Sequence, residues 1–354
     1  MLHYTGYTHS RGGIVAVIRG LHRGGGAGRV VHGVSAGFTE EGKAELELWR
    51  GPEIDGDAIN LRNLWNALAV ARAVRGWLEA GPGRIFHGHS RAGLLVGLWL
   101  HWLGERRVVV SVHCYGRQRW FYRWAARRLG DRLVWLTPAM KRYYYGTSDR
   151  AWTGCVPNSL PGTPVPEMRR WAGGRPLRIG GAGMLAPGKN WELIIRALAL
   201  LPAGDAVEYF HAGGPLPAPS SRAYARGLKD LARQLGVAER IHWLDWLPST
   251  ADLWPQIDLL VVPFAREAFS LSALEALWAG VPVLAVCGGG PDDLIIPGVN
   301  GWLISPGDEV TLSQQLRRCL EPGTWREVRA AVEHLACFSA PVVAAQWRDL
   351  YTTL

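Results

Sequence analysis

Two glutamates stand seven residues apart in the segment REAFSLSALEALWAGVPVLA, residues 266–285. The apolar run LLVVPF comes first, so Glu267 lies in a loop after a predicted strand and Glu275 lies in the predicted helix that follows. The backbone N–H groups of residues 269–271 open that helix, and helix N-termini bind diphosphates because these donors have no partner within the helix. Glu275 comes just over one turn later, where its carboxylate can accept hydrogen bonds from ribose hydroxyls. The spacing therefore favours a site for a diphosphate and its ribose.

Each glutamate also has an interpretation that needs no ligand. Ser272 and Glu275 fit the S-x-x-E capping box, in which the glutamate bonds back to the start of its own helix. Glu267 fits a solvated loop residue equally well. The residues around the two glutamates leave these alternatives open.

Histidines and glycines follow other predicted strands. His113 ends one apolar run, and His87 and His89 lie in a loop after another. In isolation, a histidine that ends an apolar strand is more often a hydrogen-bonded core residue than a ligand-binding one. The Gly12–Gly13 pair either begins a helix or lets the backbone approach a phosphate or an acceptor closely.

Short apolar runs alternate with amphipathic stretches along the whole chain, which is the βαβ pattern of parallel sheets. The predicted strands are residues 84–87, 108–113, 133–137, 177–180, 207–211, 241–244, 259–263 and 282–286, and the clearest predicted helices are residues 58–80, 191–201 and 222–235. Two doubly wound α/β lobes follow, with a boundary expected in residues 158–176, where proline and glycine concentrate. Parallel sheets bind ligands beyond the carboxyl ends of their strands, so two facing lobes predict a central cleft.

The composition is that of a folded protein held together by its core. The chain has 354 residues, of which 48% are hydrophobic, 19% are charged and 18 are tryptophans. The five cysteines are scattered, with no C-x-x-C pair and no His/Cys cluster at zinc spacing, which favours a reducing compartment. The first residues lack the apolar core of a signal peptide, and the longest apolar stretch, residues 92–104, is too short to span a bilayer. We therefore expect a cytoplasmic protein that is either soluble or peripheral on the inner face of the membrane.

The net charge of +9 is unevenly distributed. Residues 1–157 carry 22 Lys+Arg and 11 Asp+Glu, a difference of +11, whereas residues 158–354 carry 17 and 19, a difference of −2. A basic first half suggests an anionic partner, either a lipid surface or an acidic acceptor. An arginine-rich composition caused by codon bias is the alternative.

The segment around Glu267 and Glu275 resembles the E-x7-E motif of the family-4 retaining glycosyltransferases, which have the two-lobed GT-B fold. Similar stretches follow in the family's order: GAGMLAPGKNWELIIRAL, HAGGP, IHWLDWLP, GGGPDDLIIPGVNGWLISPGD and the closing FSAPVVAAQWRDLY. In the first half, SRGGIVAVIRGL resembles the family's first glycine loop, HGHSRAG its cleft loop and SVHCYG its strand ending in histidine. The likeness covers nearly the whole chain and is strongest over residues 177–310.

The resemblance implies roles for the lobes and for individual residues. Residues 1–157 would bind the acceptor, with a helix at about 339–354 packing back on them, and residues 158–338 would bind the donor. Lys189 falls on the family's phosphate-binding lysine, and the chain has only four lysines among its 39 basic residues. Catalytic roles fall on Glu267, Lys189 and His113, donor-binding roles on Gly13, Gly213, Leu247, Phe269, Ser270, Leu271 and Glu275, and acceptor-binding roles on Gly12, His87, His89 and Arg91.

Four positions depart from the family pattern. Met184 stands where an arginine commonly binds the diphosphate. Either Arg91 or Arg266 replaces that arginine, or Lys189 and the helix amides suffice, or the donor site is altered. Other residues stand at three positions where the family usually has glycine: Ala268, Ser270 and Asp245.

The resemblance implies a retaining, metal-independent transfer of a hexose-type sugar from a nucleotide-diphosphate sugar to an acceptor hydroxyl, in cell-surface glycan or glycolipid synthesis. A UDP-sugar is the favoured donor and a GDP-sugar the alternative. The acceptor would be a glycan, a lipid-linked compound or another hydroxyl compound, and neither a cofactor nor a nucleic acid is expected. Two other classes stay open: a nucleotide-sugar 2-epimerase of the same fold, and a non-catalytic relative that binds glycan or membrane.

Residues 117–132, RQRWFYRWAARRLGDR, predict a helix that follows the His113 strand. Arginines recur every fourth residue beside a stripe of tryptophans: Arg119, Arg123 and Arg127, with Trp120 and Trp124. Adjacent basic and aromatic stripes are typical of a helix that lies in the interface of an anionic membrane. The alternative is that the tryptophans pack into the first lobe and the arginines form its solvated face.

Overall fold

The computed structural model describes residues 2–5, 14, 17–18, 31–35, 47–51, 54, 60–146, 154–202 and 204–354. The chain divides into two compact units. Unit 1 consists of Met1–Gly162 together with Phe338–Leu354, and unit 2 consists of Thr163–Cys337. The C-terminal residues therefore belong to unit 1, although they follow unit 2 in the sequence.

Unit 1 contains a six-stranded parallel sheet with the order β3-β2-β1-β4-β5-β6. Its strands are β1 Leu2–Tyr4, β2 Val31–Ser35, β3 Glu47–Gly51, β4 Phe86–His89, β5 Val108–Val112 and β6 Leu133–Trp135. The strand order reverses between β1 and β4, which is where doubly wound sheets bind ligands. The pairing of these two strands places His3 beside His87.

The described helices of unit 1 cover its sheet. They are α1 Leu61–Glu79, α2 Ser90–Trp102, α3 Arg119–Leu129, α4 Pro138–Tyr145 and the C-terminal helix Ala340–Thr352. The helix α1 begins where the Asn60 side chain accepts a hydrogen bond from the Asn63 N–H at 2.8 Å, which satisfies one of the unpaired donors of the first turn. The C-terminal helix buries Val343 and Trp347 against the valines of β5 and β6.

Unit 2 repeats this architecture with the strand order β12-β11-β10-β7-β8-β9. Its strands are β7 Leu177–Ala182, β8 Val207–Ala212, β9 Ile241–Asp245, β10 Leu259–Val262, β11 Val283–Val286 and β12 Gly301–Ile304. Its helices are α5 Trp191–Ala199, α6 Pro219–Gln234, α7 Leu271–Trp278, α8 Pro291–Leu294, α9 Glu309–Cys319 and α10 Val332–Ala336. Here the strand order reverses between β7 and β10.

The predicted fold class, two doubly wound parallel-sheet α/β lobes, is confirmed. Parallel strands are covered on both faces and so read as continuous apolar runs, which is why β5 and β10 are buried along their whole length. The strand predicted at residues 84–87 begins two residues later in the structure, at Phe86. The strands β1 and β12 have three and four residues, too few to give a recognisable pattern in the sequence.

Candidate functional site

A lysine and a glutamate meet at the point where the strand order of unit 2 reverses. The strands β7 and β10 are neighbours in the sheet, and the loops that follow them carry Lys189 and Glu267. The Lys189 Nζ donates a hydrogen bond to Glu267 Oε2 at 2.7 Å, and the two side chains are 29% and 23% exposed. The fold thus brings two of the predicted catalytic residues together where a doubly wound sheet binds its ligand.

The loop that carries Lys189 is held by hydrogen bonds on both sides of the lysine. Asn190, whose φ is +56°, donates from Nδ2 to the carbonyl oxygen of Pro263 at 3.0 Å and so links the loops after β7 and β10. The Trp191 Nε1 donates to the carbonyl oxygen of Met184 at 3.0 Å. Neither Asn190 nor Trp191 was among the predicted site residues, because their part is to position the backbone rather than to carry charge.

A groove of about 430 Å³ lies next to the Lys189–Glu267 pair. Its lining includes Gly188 and Asn190, which flank the lysine, and also Phe264 and Arg266. The Lys189 Nζ lies 5.5 Å from the centre of the Phe264 ring. Arg266 is exposed and forms no ion pair within the part of the chain that the structure describes. An anion in this groove would meet an uncompensated guanidinium beside the lysine.

Three consecutive glycines pack directly against the loop that carries Glu267. The Gly290 N–H donates to the carbonyl oxygen of Glu267 at 2.7 Å. A Cβ added at Gly290 would lie 2.7 Å from the Ala268 oxygen, and one added at Gly289 would lie 2.6 Å from the Glu267 oxygen. The segment Gly288–Gly290 therefore fixes the position of the Glu267 backbone. A residue with a Cβ could not pack this closely against it.

The helix α7 begins directly after the Glu267 loop, as the sequence predicted. Its N-cap is Ser270, whose Oγ accepts from the Ala273 N–H at 3.4 Å. Phe269 and Ser270 are buried and Leu271 is half-buried. Ser270 has a φ of +68° and Asp245 has a φ of +56°, so both adopt the left-handed conformation that glycine adopts without strain. This backbone geometry is a physical reason why the family that the sequence resembles usually has glycine at these two positions.

Glu275 does not form the capping box that its spacing with Ser272 allowed. Because the N-cap is Ser270, Glu275 is the fifth residue of α7 rather than the third, and it cannot reach the cap. Its side chain instead accepts a hydrogen bond from Thr250, and burial raises the pKa of its carboxyl group above the usual value. A buried carboxylate with one protein donor retains acceptor capacity for a ligand hydroxyl.

Gly213 lies at the carboxyl end of β8 and needs to be glycine. Its φ is +131°, and a Cβ at this position would overlap the carbonyl oxygen of Gly183. Its N–H donates to the carbonyl oxygen of Asp245 at 2.7 Å. Leu247 is half-buried, two residues beyond β9. The structure thus places these two predicted donor-binding residues beyond the carboxyl ends of β8 and β9.

The predicted histidines of unit 1 cluster with His3. A hydrogen-bonded chain joins His3, His89 and His113, and the His87 ring packs against those of His3 and His89. His89 Nδ1 lies 3.0 Å from His113 Nε2, and the His3 Nδ1 lies 2.8 Å from His89 Nε2. His87 lies 2.7 Å from the Ser111 hydroxyl and 2.8 Å from the Tyr351 hydroxyl. Burial lowers the pKa of His113 to about 3 and places that of His87 well below its usual value. The rings of His87 and His113 are therefore interpreted as neutral at pH 7.

The expectation that no histidine cluster exists at metal spacing was wrong. One candidate ligand atom from each of His3, His87 and His89 lies within 4.8 Å of the others. Sequence spacing could not indicate this, because His3 comes from β1 and meets His87 across the sheet. The rings of His87 and His89 are stacked with centroids 4.1 Å apart and planes inclined by 29°, so their in-plane lone pairs do not converge. The cluster fits a hydrogen-bond network better than a metal site.

Of the three remaining predicted residues of unit 1, the structure describes only Arg91. Arg91 donates from Nε to the Tyr122 hydroxyl at 3.2 Å. Gly12 and Gly13 lie outside the described residues. Arg91 therefore has a protein partner, whereas Arg266 lies in the groove beside Lys189.

Residues 174–332 match the family described as Glycosyl transferases group 1. The matched residues lie within unit 2. The D-inositol 3-phosphate glycosyltransferase of Mycobacterium marinum is 35% identical to this chain over 163 residues, which are 44% of this chain and 34% of the relative. Its counterpart in Mycobacterium tuberculosis strain F11 is 37% identical over 164 residues, 44% of this chain and 33% of the relative. The chain thus spans about a third of the length of these curated relatives.

Solved structures with the same fold cover essentially the whole chain. HepE of Anabaena, in complex with UDP and glucose, aligns with a TM-score of 0.75 and 18% identity over 100% of this chain and 99% of its own. Sucrose-phosphate synthase of Thermosynechococcus elongatus aligns with a TM-score of 0.77 and 19% identity over 99% and 98%. At these identities the likeness shows the fold, which is the GT-B type that the motifs implied.

Proposed function

We propose that this protein is a retaining, metal-independent glycosyltransferase that moves a hexose-type sugar from a nucleotide-diphosphate sugar to an acceptor hydroxyl. We propose that this transfer is a step in the synthesis of a cell-surface glycan or glycolipid. The observation that carries the proposal is the Lys189–Glu267 pair, 2.7 Å apart at the strand-order reversal of the unit that matches the group 1 glycosyl transferases, with a helix N-terminus directly after it.

The chemistry follows from the charges around that pair. Breaking the bond between the sugar and the diphosphate leaves negative charge on the departing phosphate oxygens. Lys189 and the first N–H groups of α7 stabilise this charge, because positioned donors need no reorganisation during the reaction. Glu267 is released from its ion pair as the lysine turns to the phosphate, and its carboxylate then accepts hydrogen bonds from sugar hydroxyls. Glu275 holds the ribose.

Arg266 supplies the cation that Met184 does not. It directly precedes Glu267, it is exposed, and it lines the groove whose wall includes both neighbours of Lys189. Its guanidinium can bind a phosphate through two N–H groups at once. The favoured donor is a UDP-sugar, with a GDP-sugar as the alternative, and the HepE complexes with UDP and UDP-glucose support the first choice.

The test of the proposal is donor consumption with and without an acceptor fraction. The purified protein is incubated with UDP-glucose or GDP-mannose, alone and with a glycolipid and glycan extract, and released nucleoside diphosphate is measured. We expect release that depends on the extract. Equal release without any acceptor would favour the 2-epimerase alternative, and no release with any donor would favour a non-catalytic relative.

The Glu275→Gln variant is expected to bind UDP about 10-fold more weakly than the wild type, because a hydrogen bond to a charged acceptor contributes about 1.5 to 3 kcal/mol. Its melting temperature without ligand should be equal or higher, since the carboxylate that it removes is buried and its pKa is raised by burial. UDP titration by calorimetry and a thermal melt separate the two effects. A lower melting temperature with unchanged UDP affinity would show a structural role for Glu275.

Transfer activity is expected to survive an excess of EDTA. Lys189, the helix amides and Arg266 provide the positive charge that a divalent cation would otherwise bring to the diphosphate. The measurement is the initial rate before and after chelation, with magnesium and manganese added back. Loss on chelation and recovery with either metal would contradict this prediction.

The helix α3 and its surroundings present exposed aromatic and basic side chains in unit 1. Trp120 is 70% exposed and Trp102 is 54% exposed, and the Trp102 and Trp124 rings lie 5.9 Å apart. We name Trp102, Trp120 and Trp124 the tryptophan patch. In the predicted stripe of three arginines, Arg123 is half-buried, and its Nε donates to the carbonyl oxygen of Tyr144 at 2.5 Å. In the described residues no helix is both long and apolar enough to cross a bilayer.

We predict that the tryptophan patch docks on anionic lipid. A variant carrying Trp120→Ser, Arg119→Ala and Arg127→Ala should bind anionic vesicles more weakly, by about 1 kcal/mol for each arginine. Co-sedimentation with anionic and neutral vesicles at two salt concentrations measures this. The control is Arg196→Ala/Arg233→Ala, which removes two exposed cations from unit 2. Equal sedimentation of the variant and the wild type would favour a soluble acceptor.

A further inference from the structure

A second cavity of unit 2, of about 360 Å³, lies beyond the carboxyl ends of β8 and β9. No described residue lines both this cavity and the groove beside Lys189. We name it the basic cavity after the side chains of α6 that line it: Arg222, Arg226 and Lys229. These residues recur at intervals of four and three, so they project from one face of the helix.

The charge of the basic cavity is not that of the unit around it. Residues 163–337 carry 16 Lys+Arg and 18 Asp+Glu, a difference of −2. Three cations nevertheless line this cavity against a single carboxylate, that of Asp245. The carboxylate of Asp230, also on α6, pairs with Arg233 at 2.8 Å and neither residue lines the cavity. The cations of the basic cavity are therefore left largely uncompensated, and they attract anions.

The contacts of the individual cations also leave them available. Arg226 is exposed and has no hydrogen bond or ion pair with the described residues. The Lys229 Nζ lies 6.0 Å from the centre of the Trp243 ring, a contact that keeps its three N–H donors open. Arg222 donates from Nη1 to the carbonyl oxygen of Pro217, which holds that guanidinium at the rim.

The opposite wall of the basic cavity is a glycine loop with a free donor. Gly213 and Gly214 line the cavity and are buried. The Gly213 N–H bonds to Asp245, but the N–H of Gly214 has no acceptor among the described residues. A buried backbone donor without an acceptor costs free energy unless a ligand or water satisfies it.

We propose that the basic cavity is a second anion site of unit 2, which binds a phosphate- or pyrophosphate-bearing small molecule. Arg226 and Lys229 bind the phosphate oxygens, Arg222 closes the rim, and the Gly214 N–H donates from the opposite wall. A cavity volume of about 360 Å³ accommodates a small organic phosphate as well as the inorganic ion. The cations of α6 that carry this site are not among the predicted donor-binding residues, although Gly213 on the opposite wall is one of them.

Calorimetric titration with inorganic pyrophosphate tests the proposal. We expect each wild-type chain to bind pyrophosphate at two sites and the Lys189→Ala variant to bind it at one. The double variant Arg226→Gln/Lys229→Gln should retain the Lys189 site and bind at the basic cavity roughly 10- to 100-fold more weakly. The control Arg196→Gln/Arg233→Gln loses the same charge from exposed positions of α5 and α6 outside the cavity and should retain both sites.

The outcomes distinguish the two sites. A single wild-type site that Lys189→Ala abolishes would overturn the basic cavity, and so would two sites unchanged in Arg226→Gln/Lys229→Gln. If Lys189→Ala retains both sites while the double variant loses one, the basic cavity stands and the proposed donor site fails. Equal weakening by the control variant would show that only the net charge of the unit matters, which would also overturn the proposal.

Discussion

Lys189→Ala and Glu267→Gln are each expected to reduce transfer activity by roughly 100-fold or more, while the fold stays intact. Losses of this size are typical when one group that stabilises transition-state charge is removed. Both side chains are partly exposed, at 29% and 23%, so their substitution removes little packing. Initial rates at saturating donor, with circular dichroism of each variant, measure the effect.

The ion pair between these residues makes a double variant informative. Because Lys189 and Glu267 contact each other and are proposed to bind the same substrate, the loss in Lys189→Ala/Glu267→Gln should be smaller than the product of the two single losses. Arg196→Gln is the matched control, since it removes an exposed cation from α5, the helix that begins just after Lys189. Wild-type turnover by a folded Lys189→Ala protein would contradict the assignment of the donor site.

Gly290→Ala is expected to reduce transfer activity by about 100-fold, although we propose no contact between Gly290 and the substrate. The added Cβ would lie 2.7 Å from both the Ala268 oxygen and the Phe269 nitrogen, so the loop that carries Glu267 has to move. A displacement of about 1 Å at a reacting group commonly costs this much activity. Donor turnover and a melting curve for the variant check the prediction.

Gly227→Ala provides the comparison for Gly290→Ala. Gly227 lies inside α6, and a Cβ there would meet no heavy atom within 4 Å. This variant should retain full activity and gain about 0.5 to 1 kcal/mol in free energy of unfolding, because alanine is the better helix former. If Gly290→Ala behaved in the same way, the loop would not depend on the glycine segment.

The fold could be predicted from the sequence where its strands are buried on both faces. The sequence runs that become β5 and β10 are continuous and apolar. In the helical stretches, the apolar residues recur with the period of an amphipathic helix. The predictions missed β1 and β12, whose few residues carry no period, and β2 and β3, which gave no apolar run of that kind. The strand order itself comes from pairings between distant segments.

The candidate site could be predicted only where single residues carry the chemistry. Lys189 and Glu267 were recognised because a lysine and a carboxylate follow strands in a motif, and the fold places them 2.7 Å apart. Glycines 288–290 and Asn190 were not recognised as parts of the site, because they position its backbone through contacts that sequence spacing does not reveal. The histidine cluster was missed for the same reason, since His3 joins it from a neighbouring strand.

The most direct test of the central claim is nucleotide binding by the wild type and by Lys189→Ala, measured as a thermal shift with UDP, GDP, ADP and CMP. A ligand at 100 times its dissociation constant stabilises the folded state by about 2.7 kcal/mol, which a melt resolves. We predict that UDP, or else GDP, raises the melting temperature of the wild type and that the same concentration raises that of Lys189→Ala much less, the remaining shift being that of the basic cavity. An equal shift in both proteins, or no shift of the wild type with any nucleoside diphosphate, would contradict a donor site at Lys189 and Glu267.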